Sequence, residues 1–256
     1  MDLVNSIVRA VKLLEILKEE RDISYIQIAK RIDIPKSTLF KILKTLENLE
    51  LVHKDGETGR YQLGTKLIEL GGSARNQLEI TNIARPFMKR LNKELDATLH
   101  LTVVAHGEIL PIESFESENW YRHHFRYSPA IGVPAPLHCT APGKAILAHL
   151  KQKEIEEIIK TKRLKKYTEN TITTKKALLA ELKKIVEQGY AVSNGEHDEI
   201  IRSVAAPIWN HEGQVISAMS ILGVISKITP ERVPAIAKLV TEATKEISRR
   251  MGYVKQ

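Results

Sequence analysis

Residues 24–46 read Ser24-Tyr25-Ile26-Gln27-Ile28-Ala29-Lys30-Arg31-Ile32-Asp33-Ile34-Pro35-Lys36-Ser37-Thr38-Leu39-Phe40-Lys41-Ile42-Leu43-Lys44-Thr45-Leu46. Ser24 is a good helix N-cap, and Tyr25, Ile28, Ala29 and Ile32 then share one helical face. Asp33-Ile34-Pro35 breaks that helix. Lys36 opens another, to Leu49, with Leu39, Ile42, Leu43, Leu46 and Leu49 turned inward. Upstream, Val4, Ile7, Val11, Leu14 and Leu17 recur at helical spacing and predict a first helix over Val4–Glu20. Downstream, residues 51–54 and 60–63 flank Asp55-Gly56-Glu57-Thr58-Gly59, which predicts a short hairpin. Helix, turn, helix and a strand pair are the layout of a winged helix-turn-helix.

The outer face of the third helix carries Lys36, Ser37, Phe40, Lys41, Lys44 and Thr45. Between Ile23 and Leu46 stand five basic side chains and one acid, Asp33. Lysines there can meet phosphates, and short hydroxyls at a helix start can approach phosphates or base edges. The DNA-contact candidates are Lys36, Ser37, Thr38, Lys41, Lys44 and Thr45 on the helix, with Lys54 and Arg60 on the wing. Residues 1–65 hold eleven basic against ten acidic side chains, so placement and not total charge carries the case. The alternative is an ordinary three-helix bundle with a solvated lysine face.

Beyond a helical stretch at 65–76 the pattern changes. A long helix over 79–95 precedes strands at 98–105 and 108–115, joined at His106-Gly107. Residues 116–138 read as irregular with some strand. Helices follow at 141–150, 153–159 and 174–188. Strands follow at 190–194, 203–210 and 214–222, and a last helix runs from Pro230 to Arg250. Strand pairs mixed with helices predict an α+β domain around an antiparallel sheet. The expected division is a DNA-binding domain at 1–64, a linker helix at 65–76 and a second domain at 77–256.

The whole chain has 256 residues, net charge +8 and 43% hydrophobic residues, enough for real cores. One cysteine excludes a disulfide framework and a paired-cysteine zinc site. No apolar run reaches membrane-span length, and the N-terminus does not read as a signal peptide. A cytoplasmic location and no cofactor are expected.

At Ile34–Leu39 through Leu46-Glu47, and again at Arg60-Tyr61-Gln62-Leu63-Gly64, the chain resembles the IclR family of transcriptional regulators. Pro136–Ala148, Gly189-Tyr190-Ala191, Glu196, Val204–Ile208 and Ala218-Met219-Ser220 match further family blocks in order and spacing. The resemblance covers nearly the whole chain. It implies a homodimer or homotetramer on double-stranded operator DNA, with a GAF-like C-terminal domain that binds a small organic acid. Leu67, Ile68 and Leu70 are spare apolar residues for a subunit contact. Three departures stand out: Asp33 and Glu50 where the family often has glycine, and Lys41 where it often has arginine.

By the same resemblance, Tyr127, Ala135, Ala141, Pro142, Ser193, Ile201, Ser203, Ser220 and Leu222 match effector-pocket positions. Thr140 to Gly143 is a helix start, whose free amides favour a carboxylate, although Pro142 has no amide hydrogen to give. Leu222 stands where many members have a second serine, which implies a larger or more apolar ligand. Each serine is otherwise a satisfied strand-interior hydroxyl. The run Trp120–Tyr127 offers aromatics and two arginines, for ligand stacking or for a surface or subunit contact. Lys160–Lys166, with five basic residues in seven, reads as a solvated face or an accessory DNA contact. The competing class is an enzyme or thiol sensor using Cys139 beside His138. A metal held by His100, His138 and His197 is a further alternative.

Overall fold

The computed structural model describes residues 3–117 and 131–254. The chain divides into two compact units, Met1–Gln77 and Leu78–Gln256.

The first unit contains α1 (Asn5–Glu19), α2 (Tyr25–Arg31), α3 (Lys36–Asn48), β1 (Val52–Lys54), β2 (Tyr61–Leu63) and α4 (Lys66–Gln77). Ser24 caps α2 in a reciprocal capping box with Gln27. The Tyr25 hydroxyl donates to the Lys36 carbonyl at 2.8 Å and pins the start of α3 to α2. Leu13, Leu17, Ile28, Leu39, Leu43, Leu46, Val52 and Tyr61 form the core.

One inward assignment needs correction, and the apolar stripe expected on the first helix is buried only in part. On α1, Leu13 and Leu17 are buried, while Val4, Ile7 and Val11 are exposed. That helix carries two apolar stripes, and periodicity alone cannot choose between them. Leu49, expected inside, is also exposed, because α3 ends at Asn48 and the chain turns away.

The departures at Asp33 and Glu50 now separate. Asp33 keeps a negative φ, so that turn has no need of glycine, whereas Glu50 sits at φ +58°. Gly64 is required for another reason: a Cβ there would lie 2.0 Å from the Glu50 carbonyl oxygen.

The second unit contains α5 (Glu79–Leu95), β3 (Thr98–Ala105), β4 (Glu108–Phe115), α6 (Ala141–Leu147), α7 (Gln152–Lys162) and α8 (Lys175–Gln188). It continues with β5 (Ala191–Asn194), β6 (Ile201–Trp209) and β7 (Val215–Val224), then a 3-10 turn (Pro230–Arg232) and α9 (Val233–Arg250). The five strands form one antiparallel sheet in the order β4-β3-β7-β6-β5. His106 and Gly107 both have positive φ, as a two-residue type I′ hairpin turn demands.

Side chains alternate across the sheet. Leu99, Leu101, Val204, Ala206, Ile208, Met219 and Ile221 pack with Met88 and Leu91 of α5 and Ile236, Val240 and Ile247 of α9. On the opposite face Ala205 and Ala218 pack with Ala145 and Ile146 of α6 and Leu178, Leu182 and Ile185 of α8. The final helix begins three residues later than expected, because Pro230 opens a 3-10 turn.

Candidate functional site

On the α6 face of the sheet, next to that second core, lies a cavity of about 410 Å³. Register explains its lining. Ser220 pairs with His100 on β3 and with Ala205 on β6, and Leu222 pairs with Ser203, which pairs in turn with Ser193 on β5. Directly paired residues point to the same face, so four strands contribute to one surface.

Of the effector candidates, Ala135, Pro142, Ser193, Ile201, Ser203, Ser220 and Leu222 line this cavity. Ala141 does not; it is buried in the adjoining core with Leu137 and Ala145. Tyr127, like the rest of Trp120–Tyr127, lies outside the described residues. Sequence reasoning named Thr140 only as part of the helix start, and Cys139, His100 and His197 only for thiol or metal roles; it missed Thr102, Ile109, Pro111, Val133, Pro134 and Asp198, which complete the lining. The strand order that sets His100 opposite Ser220 was the missing signal, and 120 residues separate them in the chain.

The hydroxyls differ in what they already do. Ser193 donates to the Cys139 carbonyl at 3.0 Å, and Thr140 donates to the Pro136 carbonyl at 2.8 Å while capping α6. Thr102 donates to the Ala218 carbonyl. Among the described residues, Ser203 and Ser220 have no side-chain hydrogen-bond partner, and both face the cavity. No lysine or arginine is among the described lining residues. Burial lowers the His100 pKa to about 4, so its imidazole is neutral at pH 7. Burial likewise lowers His197. The lining is therefore mostly apolar surface, into which hydroxyls and imidazoles are set, with Asp198 as its described carboxylate.

The enzyme alternative meets a physical obstacle at Cys139. Burial pushes that thiol up to about 12, so a thiolate nucleophile is not populated near neutrality. The ring of His138 is held by the Lys165 carbonyl at 3.0 Å. Among the described residues no group of three or more His, Cys, Asp or Glu is placed to hold a metal ion.

In the first unit, Lys36, Ser37, Lys41, Lys44, Thr45, Lys54 and Arg60 are exposed and Thr38 is half-buried. Their freedom differs. Lys44 pairs with Glu47 at 3.1 Å, and the Thr45 hydroxyl donates to the Lys41 carbonyl at 2.8 Å. Arg60 donates to the Asp22 carbonyl at 2.6 Å and so ties the wing to the turn before α2. The Lys54 ammonium stands 5.6 Å from the Tyr61 ring centre. Phe40, on the same outer face of α3, is 59% exposed.

Two family descriptions match the chain: an IclR helix-turn-helix domain over residues 6–56 and a bacterial transcriptional regulator IclR C-terminal domain over residues 73–249. The HTH-type transcriptional regulator KdgR of Escherichia coli is 32% identical over 98% of this chain and 94% of its own length. The crystal structure of an IclR-type regulator from Alicyclobacillus acidocaldarius superposes with TM-score 0.86 at 28% identity, covering 98% of this chain and all of that one. An IclR homologue from Microbacterium hydrocarbonoxydans, complexed with 4-hydroxybenzoate, gives TM-score 0.79 at 25% identity over 96% of this chain and 98% of that one. With a helix-turn-helix at one end, an effector-type domain at the other and relatives matched along nearly the full length, this chain belongs to the IclR family of DNA-binding transcriptional regulators.

Proposed function

We propose that the C-terminal unit senses a small organic acid with an apolar body, bound in the 410 Å³ cavity with its polar head at Ser203 and Ser220. The observation that carries this is the pair of cavity-facing hydroxyls with no side-chain partner among the described residues. Ile201, Leu222, Val133 and Ile109 supply the apolar side of the site. With no described lysine or arginine in the lining, a carboxylate would be held by hydroxyls and neutral imidazoles. The 4-hydroxybenzoate held by the Microbacterium homologue is an acid of this kind and the first to try.

The DNA-facing surface in this proposal is the outer side of α3, through Lys36, Ser37, Thr38, Lys41, Lys44 and Thr45, flanked by Lys54 and Arg60. The protein acts in the cytoplasm as a homodimer or homotetramer on a two-fold operator. Exposed Leu3, Val4, Ile7 and Val11 at α1, with Ile68 and Leu70 on α4, support a subunit contact in the first unit. A two-fold pair sets two recognition helices on half-sites one helical turn apart.

A thermal-shift screen of small acids on the full chain tests the sensor. An acid present at 100 times its Kd should add about 2.7 kcal/mol of stability by mass action. No shift from any aromatic or aliphatic acid at millimolar concentration contradicts acid binding. For DNA, Lys41→Ala should weaken operator binding and reduce the salt slope by about one. An unchanged slope removes Lys41 from the phosphate contacts.

A further inference from the structure

Behind the cavity wall, outside its lining, lies a charged cluster. The Lys144 side chain is 1% exposed, on a helix that otherwise buries Ala141, Ala145, Ile146 and Leu147. Its ammonium meets a Glu196 carboxylate oxygen at 2.5 Å and Glu181 at 3.2 Å. Glu196 is itself buried, and its second carboxylate oxygen has no hydrogen-bond partner. A buried ion pair is weak evidence for stability, because apolar side chains of similar volume often serve as well or better. What an ion pair adds is direction: a short charge-assisted bond fixes where its two ends stand.

The two ends stand at the cavity. Lys144 is one turn along α6 from Thr140, and two residues from Pro142, both of which line it. Glu196 immediately precedes His197 and Asp198, which line it from the segment between β5 and β6. That segment is fastened from behind as well. The hydroxyls of Thr168 and Thr171 donate to the carbonyls of Gly195 and Glu196, each at 2.6 Å. Tyr167 places its ring centre 4.8 Å from that of His197.

We infer that Lys144 and Glu196 are a positioning pair. They fix the α6 wall of the cavity against the segment that presents His197 and Asp198, and so set which acid the cavity accepts without touching it. The selectivity claim rests on the proposed acid binding; the positioning claim does not.

The test uses the full chain and the double variant Lys144→Met/Glu196→Gln, which removes both buried charges and keeps similar volume. The melting midpoint reports stability. The His197 ring resonances, identified by their loss in His197→Gln, report its position beside Tyr167. Calorimetric titration with benzoate, 4-hydroxybenzoate and gluconate reports selectivity. A double variant that melts within a few degrees of wild type should still show displaced His197 resonances. Its ratio of affinities between the aromatic acids and gluconate should change about tenfold or more.

Wild-type His197 resonances in the folded double variant overturn the positioning role and leave the pair structural. An unchanged affinity ratio overturns its hold on selectivity. Should the double variant fail to fold, Glu196→Asp keeps the charge and withdraws the carboxylate by one methylene. The His197 displacement must appear there too, and its absence overturns the inference. If none of the three acids binds the wild type, acid sensing of these classes fails separately, and the His197 resonances decide the positioning role alone.

Discussion

The two faces of the five-stranded sheet are built from the same strands yet do opposite things. One is sealed: Leu99, Leu101, Val204, Met219 and Ile221 lie buried under α5 and α9. The other, one residue out of phase, carries His100, Thr102, Ser203 and Ser220 around a space of about 410 Å³. Dense apolar packing resists any change of volume, so a sheet needs one such face to hold its register. The second face is then free to carry the hydroxyls of Ser203 and Ser220, whose hydrogen bonds are left for a ligand. A polar group so placed costs stability in the empty state, which is offset when a ligand binds.

The largest expected effect lies on the sealed face. Ile221→Ala should cost about 2–5 kcal/mol, as truncations of buried aliphatics do. Urea unfolding of the full chain measures it. A loss under about 1 kcal/mol would mean this face collapses around the gap, and the contrast with the cavity face would weaken.

Next comes His100, buried on the cavity face. Its folded pKa of about 4 lies below the ordinary value of 6.5. The neutral ring is the one that fits, so its contribution is complete above about pH 6.5 and is lost as pH falls toward 4. About 3 kcal/mol of stability should go over that window, at about 1.4 kcal/mol per unit of pKa. The His100→Gln variant should not show this component. Parallel pH–stability curves for the two proteins would mean that His100 is not desolvated in the folded state.

The smallest effect on folding, and the sharpest on function, belongs to Ser220→Ala. Stability should move by less than about 1 kcal/mol, because no intramolecular side-chain bond is lost. Affinity for the best acid from the screen should fall about 10- to 100-fold, one bond to a charged group being worth about 1.5–3 kcal/mol. Unaltered affinity by calorimetry would move the binding site away from this face.

The elements themselves were legible at short range. The long helix at Glu79–Leu95 and the strands at Thr98–Ala105 and Glu108–Phe115 have the bounds expected from their residues. So does the capped start of α2 at Ser24. Seven of the effector candidates share one cavity: Ser193, Ile201, Ser203, Ser220 and Leu222 come from paired strands, Pro142 from α6 and Ala135 from a bridge to Ile109. Other features had no local signature. Whether α1 buries Leu13 or Val11 depends on what packs against it, and both choices satisfy a helical period. That Arg60 holds the Asp22 carbonyl depends on a contact across 38 residues.

The chain's own order of apolar, polar and breaking residues thus determined the helices, the strands, their turns and the family they compose. Hydrogen bonding within a helix or hairpin and period-dependent burial act between neighbours in sequence, where one chain is enough to read them. Strand order, the register that faces Ser220 with His100, the cavity and the buried Lys144–Glu196 pair were decided only in three dimensions. The Lys144–Glu196 pair joins residues 52 positions apart and the His100–Ser220 pairing joins residues 120 apart, and such energies exist only once packing removes both partners from water.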